Sequence, residues 1–174
     1  LGEIVLNLIF GAKSAAKEAG KIINKYYCDL KTVKNKGLKG DLVTNADIEA
    51  ENKIISYLEH HTPHIGIIAE ESGNSGLEKK LIWCIDPLDG TTNFAHGYPF
   101  FATSIGLICG NKPLLGAIFA PFFNELYWAC PNYGSYCNEN ELKVSTTRLL
   151  SDSLLVTGFA YDRQLVIDNN YSEF

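Results

Sequence analysis

The sequence of 174 residues predicts an α+β fold in which two helices pack on an antiparallel sheet. Two stretches near its start repeat apolar residues at steps of three and four, which is the pattern of amphipathic helices. The stretch that follows consists of short apolar runs separated by turn residues, which is typical of strands. Because short connections join most of these runs, neighbouring strands are expected to be antiparallel, with the helices on one face of the sheet.

The elements follow in order along the chain. The first helix is predicted near residues 3–27, and the polar, glycine-bearing stretch 34–40 (KNKGLKG) is predicted to be a loop. The second helix should begin near Thr44, because Thr44 and Asp47 have the spacing of a capping box, and Pro63 should end it. Strands are predicted at 65–69, 81–85, 101–109, 114–119, 126–129, 135–137, 142–144 and 153–157.

Composition excludes several classes of partner. The net charge of −5 argues against nucleic acid and gives no reason to expect docking on an anionic membrane. No apolar run reaches the roughly 20 residues that span a bilayer. The five cysteines show no C-x-x-C spacing, which favours free thiols and a cytoplasmic location. The sequence begins at Leu1 and has no methionine, so we expect it to be part of a longer chain.

Acidic residues mark the ends of two neighbouring predicted strands. Asp86 ends the run 81–85, and Asp89 follows three residues later, with the Leu88 carbonyl between them. Glu70 and Glu71 stand at the end of the run 65–69. If the two strands are adjacent in the sheet, the carboxylates crowd at one point, where a pair about 4 Å apart repels by roughly 4 kcal/mol at an effective dielectric of 20.

A divalent cation would relieve this repulsion. An all-oxygen donor set suits Mg²⁺, Mn²⁺ or Ca²⁺ rather than zinc or copper. The next residues, Gly90, Thr91 and Thr92, are placed to start a helix whose free backbone N–H groups can bind phosphate. Together these features suit phosphoryl transfer to water. On spacing alone, an ordinary solvated turn explains the D-P-x-D-G segment about equally well.

Longer motifs in the same order resemble the inositol monophosphatase family of Mg²⁺-dependent, lithium-sensitive phosphatases. The matching segments are GDLVTNAD at 40–47, AEES at 69–72, WCIDPLDGTTNF at 83–94, SIGL at 104–107, GSYCN at 134–138 and LLVTGF at 154–159. The resemblance implies a layered αβαβα sugar-phosphatase fold, of which this sequence would be the N-terminal part. It also implies a cytoplasmic homodimer that hydrolyses inositol monophosphate or a similar small polyol phosphate.

The resemblance further implies a role for each residue of the site. Glu70, Asp86 and the Leu88 carbonyl would bind a first Mg²⁺, and Asp86 and Asp89 would contribute to a second. Thr91, paired with Asp47, would orient the attacking water. The substrate would be bound by Asp89, Gly90, Thr91 and Thr92, and Glu71 would be an accessory acid.

The resemblance also predicts how the chain divides. Residues 1–150 would form an N-terminal α+β metal-binding domain, and residues 151–174 would begin a C-terminal α/β half. The family carries a later W-D-x-A-A-G motif whose aspartate completes the second metal site, and this sequence ends before it. Two alternatives therefore stay open: a fructose-1,6-bisphosphatase or 3′(2′),5′-bisphosphate nucleotidase of the same family, and a non-catalytic metal-binding module.

Overall fold

The computed structural model describes residues 2–27, 33–35 and 42–156. Within them the chain forms helix α1 (Gly2–Tyr26), helix α2 (Asn45–His61), the short helix α3 (Thr91–Ala95) and a single 3₁₀ turn, Leu150–Asp152. The first two helices lie where the apolar periodicity predicts them. Helix α2 ends just before Pro63, whose ring cannot continue a helix.

In the described part of the chain, ten strands form two sheets. Strands β1 (Val33–Asn35) and β2 (Leu42–Thr44) pair with each other in a small antiparallel sheet. The main sheet has eight strands in the order β10-β9-β8-β7-β6-β5-β3-β4. Its members are β3 (Gly66–Ala69), β4 (Gly73–Ser75), β5 (Leu81–Asp89), β6 (Ala102–Cys109), β7 (Lys112–Ala120), β8 (Glu125–Cys130), β9 (Gly134–Cys137) and β10 (Asn140–Glu141).

One pair of strands departs from the predicted antiparallel order. Strands β3 and β5 are parallel, with Ala69 beside Ile85, whereas the other pairs in the main sheet are antiparallel. The α+β class is confirmed, and the sheet is mixed rather than purely antiparallel. The short strand β4 makes this possible, because it pairs outside β3 and returns the chain to the starting end of the sheet.

The core lies between one face of the main sheet and the helices α1 and α2. Side chains on that face alternate along each strand and meet across strands, as Trp83, Leu107 and Leu115 do in β5, β6 and β7. Helix α1 approaches β7 very closely at Gly20. A Cβ atom on Gly20 would lie 2.4 Å from the ring of Phe119, so glycine is required there.

The remaining differences from the predicted elements are local. The predicted strand 142–144 is wrong, because β10 ends at Glu141, and residues 153–156 form no strand. Strand β4 was not predicted because its sequence, Gly-Asn-Ser, carries no apolar residue. Of the predicted loop, residues 34–35 belong to β1, and residues 36–40 lie outside the described part. Among the residues that the structure describes, no helix is long and apolar enough to cross a membrane.

Candidate active site

The N-terminus of α2 holds a buried carboxylate. The Thr44 hydroxyl accepts the Ala46 N–H and donates to Asp47 Oδ2, which also accepts the Thr44 backbone N–H at 2.8 Å. This is the capping box that the sequence predicts, and it confirms the start of the helix. Asp47 is only 1% exposed, so its carboxyl group is held in one orientation by its own helix cap.

The parallel pairing of β3 and β5 brings Glu70 close to Asp86. Ala69 and Ile85 are the last pair in the β3–β5 ladder, and Glu70 and Asp86 are the next residues along each chain segment. The carboxyl ends of parallel strands meet at the same edge of a sheet. The side chains of Glu70 and Asp86 lie close together there, near enough for Glu70 to raise the pKa of Asp86.

Strand β5 does not end at Asp86 but continues through a bulge. Its register with β6 shifts between Asp86 and Asp89, so the carbonyls of Pro87 and Leu88 leave the regular ladder. The buried Thr103 hydroxyl donates to the Pro87 carbonyl at 2.9 Å. Thr91 Oγ1 lies 2.9 Å from the Leu88 carbonyl oxygen. The bulge therefore turns the Leu88 carbonyl and the Asp89 side chain towards the same end of the sheet as Glu70.

Gly90 makes the turn from this bulge into α3. Its φ of 88° lies in the left-handed region, and a Cβ atom would come within 2.9 Å of the Phe100 carbonyl oxygen. Both conditions exclude larger residues. Helix α3 then begins at Thr91, as the sequence predicts. Thr91 Oγ1 comes within 3.0 Å of Asp47 Oδ1, across 44 residues of sequence.

The clustered carboxyl groups have perturbed acidities. Burial, with added repulsion from Glu70 and then Asp89, raises the pKa of Asp86 to about 8. Burial also raises the pKa of Asp47, while hydrogen bonds from Thr44 and Thr91 offset part of that increase. A cation bound beside Asp86 would replace the proton on this carboxyl group, because a nearby positive charge favours the ionised form.

The donor chemistry of this edge suits a hard divalent ion. Two carboxyl groups are in contact, Asp89 adds negative charge and the Leu88 carbonyl adds a neutral oxygen. Within residues 2–27, 33–35 and 42–156, no three acidic, histidine or cysteine side chains form a ready-made cage. That arrangement is compatible with Mg²⁺, which proteins usually hold through one or two carboxylates, with waters and substrate phosphates as the remaining ligands.

The predicted site residues fall into two contacting groups at one end of the sheet. One group is Asp47 with Thr91, and the other is Glu70 with Asp86. The Leu88 carbonyl, through Thr91, joins the first group to the strand that carries Asp86. Asp89 and Glu70 are exposed, whereas Gly90, Thr91 and Thr92 are half-buried in the turn into α3.

Sequence reasoning missed two residues that support this edge. Thr103 holds the bulge through the Pro87 carbonyl, and Glu51 accepts the backbone N–H groups of Glu71 and Ser72. Glu51 carried a readable signal, because it lies four residues after Asp47 and so on the same face of α2. Thr103 carried none, since a threonine inside a strand is ordinary.

A cavity adjoins the candidate site on the side of Asp89 and Gly90. Its volume is 660 Å³, and its far wall includes Ile118, Glu125 and Tyr127. Tyr127 donates to Glu125 at 2.7 Å, and this contact chiefly raises the pKa of Tyr127 to about 12. The volume lies within the range of pockets for small molecules.

Comparison with known proteins gives a consistent result. A model of the Inositol monophosphatase family matches residues 5–173. The Inositol-1-monophosphatase of Synechocystis sp. is 46% identical over 94% of this chain, which spans 57% of that protein. The Fructose-1,6-bisphosphatase/inositol-1-monophosphatase of Aquifex aeolicus is 35% identical over 85% of this chain, which spans 56% of that protein. The chain therefore spans a little over half the length of these relatives.

Solved structures agree with the sequence comparison. The structure of an inositol monophosphatase from Anabaena (Nostoc) sp. has a TM-score of 0.83 and 40% identity, covering 96% of this chain and 61% of that one. A crystal structure of an IMPase/NADP phosphatase complexed with Mg²⁺ and phosphate has a TM-score of 0.64 and 26% identity, covering 72% of this chain and 48% of that one.

Proposed function

Because the chain belongs to the inositol monophosphatase family, we propose that it is the metal-binding part of a Mg²⁺-dependent phosphomonoesterase. Its substrate is inositol monophosphate or a similar small polyol phosphate. The observation that carries the proposal is the contact between Glu70 and Asp86 beside the Asp47–Thr91 pair. Two half-buried or exposed acids in contact, next to an oriented hydroxyl, suit metal-assisted attack of water on a phosphate.

Four oxygen donors would hold the metal. Glu70, Asp86 and the Leu88 carbonyl would hold a first Mg²⁺, and Asp86 with Asp89 would contribute to a second. When bound, Mg²⁺ lowers the pKa of the attacking water and neutralises charge on the leaving oxygen. The relative complexed with Mg²⁺ and phosphate supports this choice of ion.

Thr91 and Asp47 orient the attacking water. A threonine hydroxyl has one proton, and Thr91 lies near two acceptors, Asp47 Oδ1 and the Leu88 carbonyl. If the Leu88 carbonyl held a cation, the Thr91 hydroxyl would donate to Asp47, and the lone pairs of Thr91 Oγ1 would be free to accept a hydrogen bond from water. Because the helix cap fixes Asp47, the hydroxyl of Thr91 is fixed as well.

The phosphate and the rest of the substrate lie on the Asp89 side. The backbone N–H groups of Gly90, Thr91 and Thr92 at the start of α3 are placed to bind phosphate oxygens, since the first N–H groups of a helix have no partner within it. Asp89 is exposed beside the cavity and would accept a hydrogen bond from a hydroxyl group of the polyol. Water attacks phosphorus, the bond to the ester oxygen breaks, and the products are inorganic phosphate and the alcohol, with no covalent intermediate.

Phosphate release from inositol monophosphate, with and without Mg²⁺, tests this proposal. We expect Mg²⁺-dependent release that Asp86→Asn lowers at least about 100-fold, because the variant removes a charge on which the metal depends. Exposed Glu59→Gln serves as the charge-matched control. Mg²⁺ binding without turnover would favour the non-catalytic module instead.

A second substrate class has a specific observation in its favour. The Aquifex aeolicus relative carries fructose-1,6-bisphosphatase as well as inositol-1-monophosphatase in its name. The same assay with fructose 1,6-bisphosphate and with a 3′,5′-bisphosphate nucleotide separates these candidates. Lithium should inhibit the reaction, and full activity at high lithium would place the protein away from the lithium-sensitive members.

We also propose that the protein is a cytoplasmic homodimer. Four aromatic side chains beside the site are exposed: Tyr98, Phe100, Phe122 and Phe123. Exposed apolar patches of this kind mark contact surfaces. Sedimentation of the wild type should give the mass of a dimer. Phe100→Ser should give the mass of a monomer, and this variant should keep the fold because the Phe100 side chain is 67% exposed.

A further inference from the structure

Helix α2 presents a second buried carboxylate to the site. Glu51 follows Asp47 by one helical turn, about 6 Å along the axis, and is 2% exposed. Its Oε2 accepts the Glu71 N–H at 2.7 Å, and its Oε1 accepts the Ser72 N–H at 2.8 Å. A buried carboxylate is costly unless it is hydrogen-bonded, and here both oxygens receive a backbone donor.

These two bonds fix the segment that carries Glu70. The ladder between β3 and β5 ends at Ala69, and Ala69 also pairs with Gly73 of β4. Residues 70–72 form the turn between β3 and β4, and no strand partner is in register with these three residues. The Glu71 N–H belongs to the peptide group that joins Glu70 to Glu71, and the Ser72 N–H belongs to the next one. By holding both peptide planes, Glu51 sets the directions in which the Glu70 and Glu71 side chains leave the backbone.

We infer that Glu51 is a positioning residue for the metal site. Its carboxylate ties the Glu70–Ser72 turn to α2, so that Glu70 stays beside Asp86. The same rigid helix holds Thr91 through Asp47. One helix thus sets the distance between the metal-binding acids and the hydroxyl that orients water. This inference rests on the proposed function, because it requires that the Glu70–Asp86 edge binds a divalent ion.

Glu51→Gln tests the inference with Mn²⁺ as the probe. The variant keeps the side-chain volume but replaces one acceptor oxygen with an NH₂ group, which cannot accept an N–H. We expect the Mn²⁺ dissociation constant, from the free Mn²⁺ signal in electron paramagnetic resonance, to rise about 10- to 100-fold. Glu59→Gln, exposed on the same helix, loses the same charge and should leave the constant unchanged.

A conservative variant separates position from charge. Glu51→Asp keeps the negative charge but is one methylene shorter, so it cannot reach both N–H groups, and we expect it to weaken Mn²⁺ binding as well. If either Glu51 variant binds Mn²⁺ as the wild type does, the inference is overturned. Urea unfolding without metal measures how much stability each variant loses. A merely structural role would lower the free energy of unfolding without weakening Mn²⁺ binding in the folded protein.

Hydrogen exchange keeps the test decisive if the variants do not fold. In the metal-free wild type, the amides of Glu71 and Ser72 should exchange slowly, although they lie in a turn beyond the strand ladder. Exchange at the rate of an unstructured peptide would refute the anchor. A wild type that binds no Mn²⁺ would remove the proposed function and the positioning role together, whereas wild-type binding that Glu51→Gln leaves unchanged would remove the positioning role alone.

Discussion

Binding of Mg²⁺ to this chain should release a proton, and the number released should depend on pH. In the absence of metal, burial and the neighbouring Glu70 raise the pKa of Asp86 to about 8 from an ordinary value of 3.8. Below pH 8 Asp86 therefore keeps its proton, and a divalent ion must displace that proton to gain the Asp86 carboxylate. Metal affinity should fall as the pH falls below 8, by about tenfold per unit.

The expected stoichiometry follows from that pKa. At pH 7 the protonated form of Asp86 outnumbers the ionised form by about ten to one, so each bound Mg²⁺ should release about 0.9 proton. At pH 9 the ratio is reversed, and about 0.1 proton should be released.

Calorimetric titration measures this count directly. Binding heats recorded at one pH in two buffers of different ionisation enthalpy yield the number of protons released. The measurement at pH 9 is the internal control, because the same ion meets the same residues already ionised. Equal release at pH 7 and pH 9, or none at pH 7, would contradict the crowding of Asp86 on which the proposed metal site depends.

Three further predictions concern individual side chains. Thr103→Val should lower the free energy of unfolding in urea by about 1–3 kcal/mol, because it leaves the buried Pro87 carbonyl without its donor. Thr103→Ser keeps the hydroxyl and should not lower it. Equal stabilities of the two variants would exclude this role of Thr103. Gly20→Ala should destabilise the fold by about 1–3 kcal/mol, because the added methyl group clashes with Phe119. Gly11→Ala, which has open space around it, should stabilise the fold by up to about 1 kcal/mol. Thermal melting that ranks the two variants the other way would contradict the packing of α1. Thr91→Val should reduce turnover by about 100-fold or more with KM little changed, Thr91→Ser should retain activity, and an active valine variant would remove the hydroxyl from the mechanism.

The sequence was sufficient where the deciding forces are local. The capping box of Thr44 and Asp47 involves residues three apart, so the start of α2 could be predicted before any packing was known. Most strands with apolar runs were also predicted, because apolar side chains indicate which segments are buried. Strand β4 and the weak strand β10 escaped for the same reason, since Gly73–Ser75 and Asn140–Glu141 carry no apolar pattern.

Site residues were named from motifs, but motifs did not give their contacts. The sequence predicts that the strand ends at Asp86. In the structure the strand continues through a bulge to Asp89, and the turn is made only at Gly90. A bulge depends on the register of the neighbouring strand β6, which no residue within the segment specifies.

The sequence by itself determined which residues are acidic and where α1 and α2 begin, because these properties depend on a residue and its near neighbours. Only the tertiary structure decided that β3 and β5 run parallel. An antiparallel pairing of the same two strands would have left Glu70 and Asp86 at opposite edges of the sheet, whereas the parallel register puts both at one edge. The parallel direction depends on β4, which pairs outside β3 and returns the chain before β5 begins, and so it cannot be read from β3 or β5 alone.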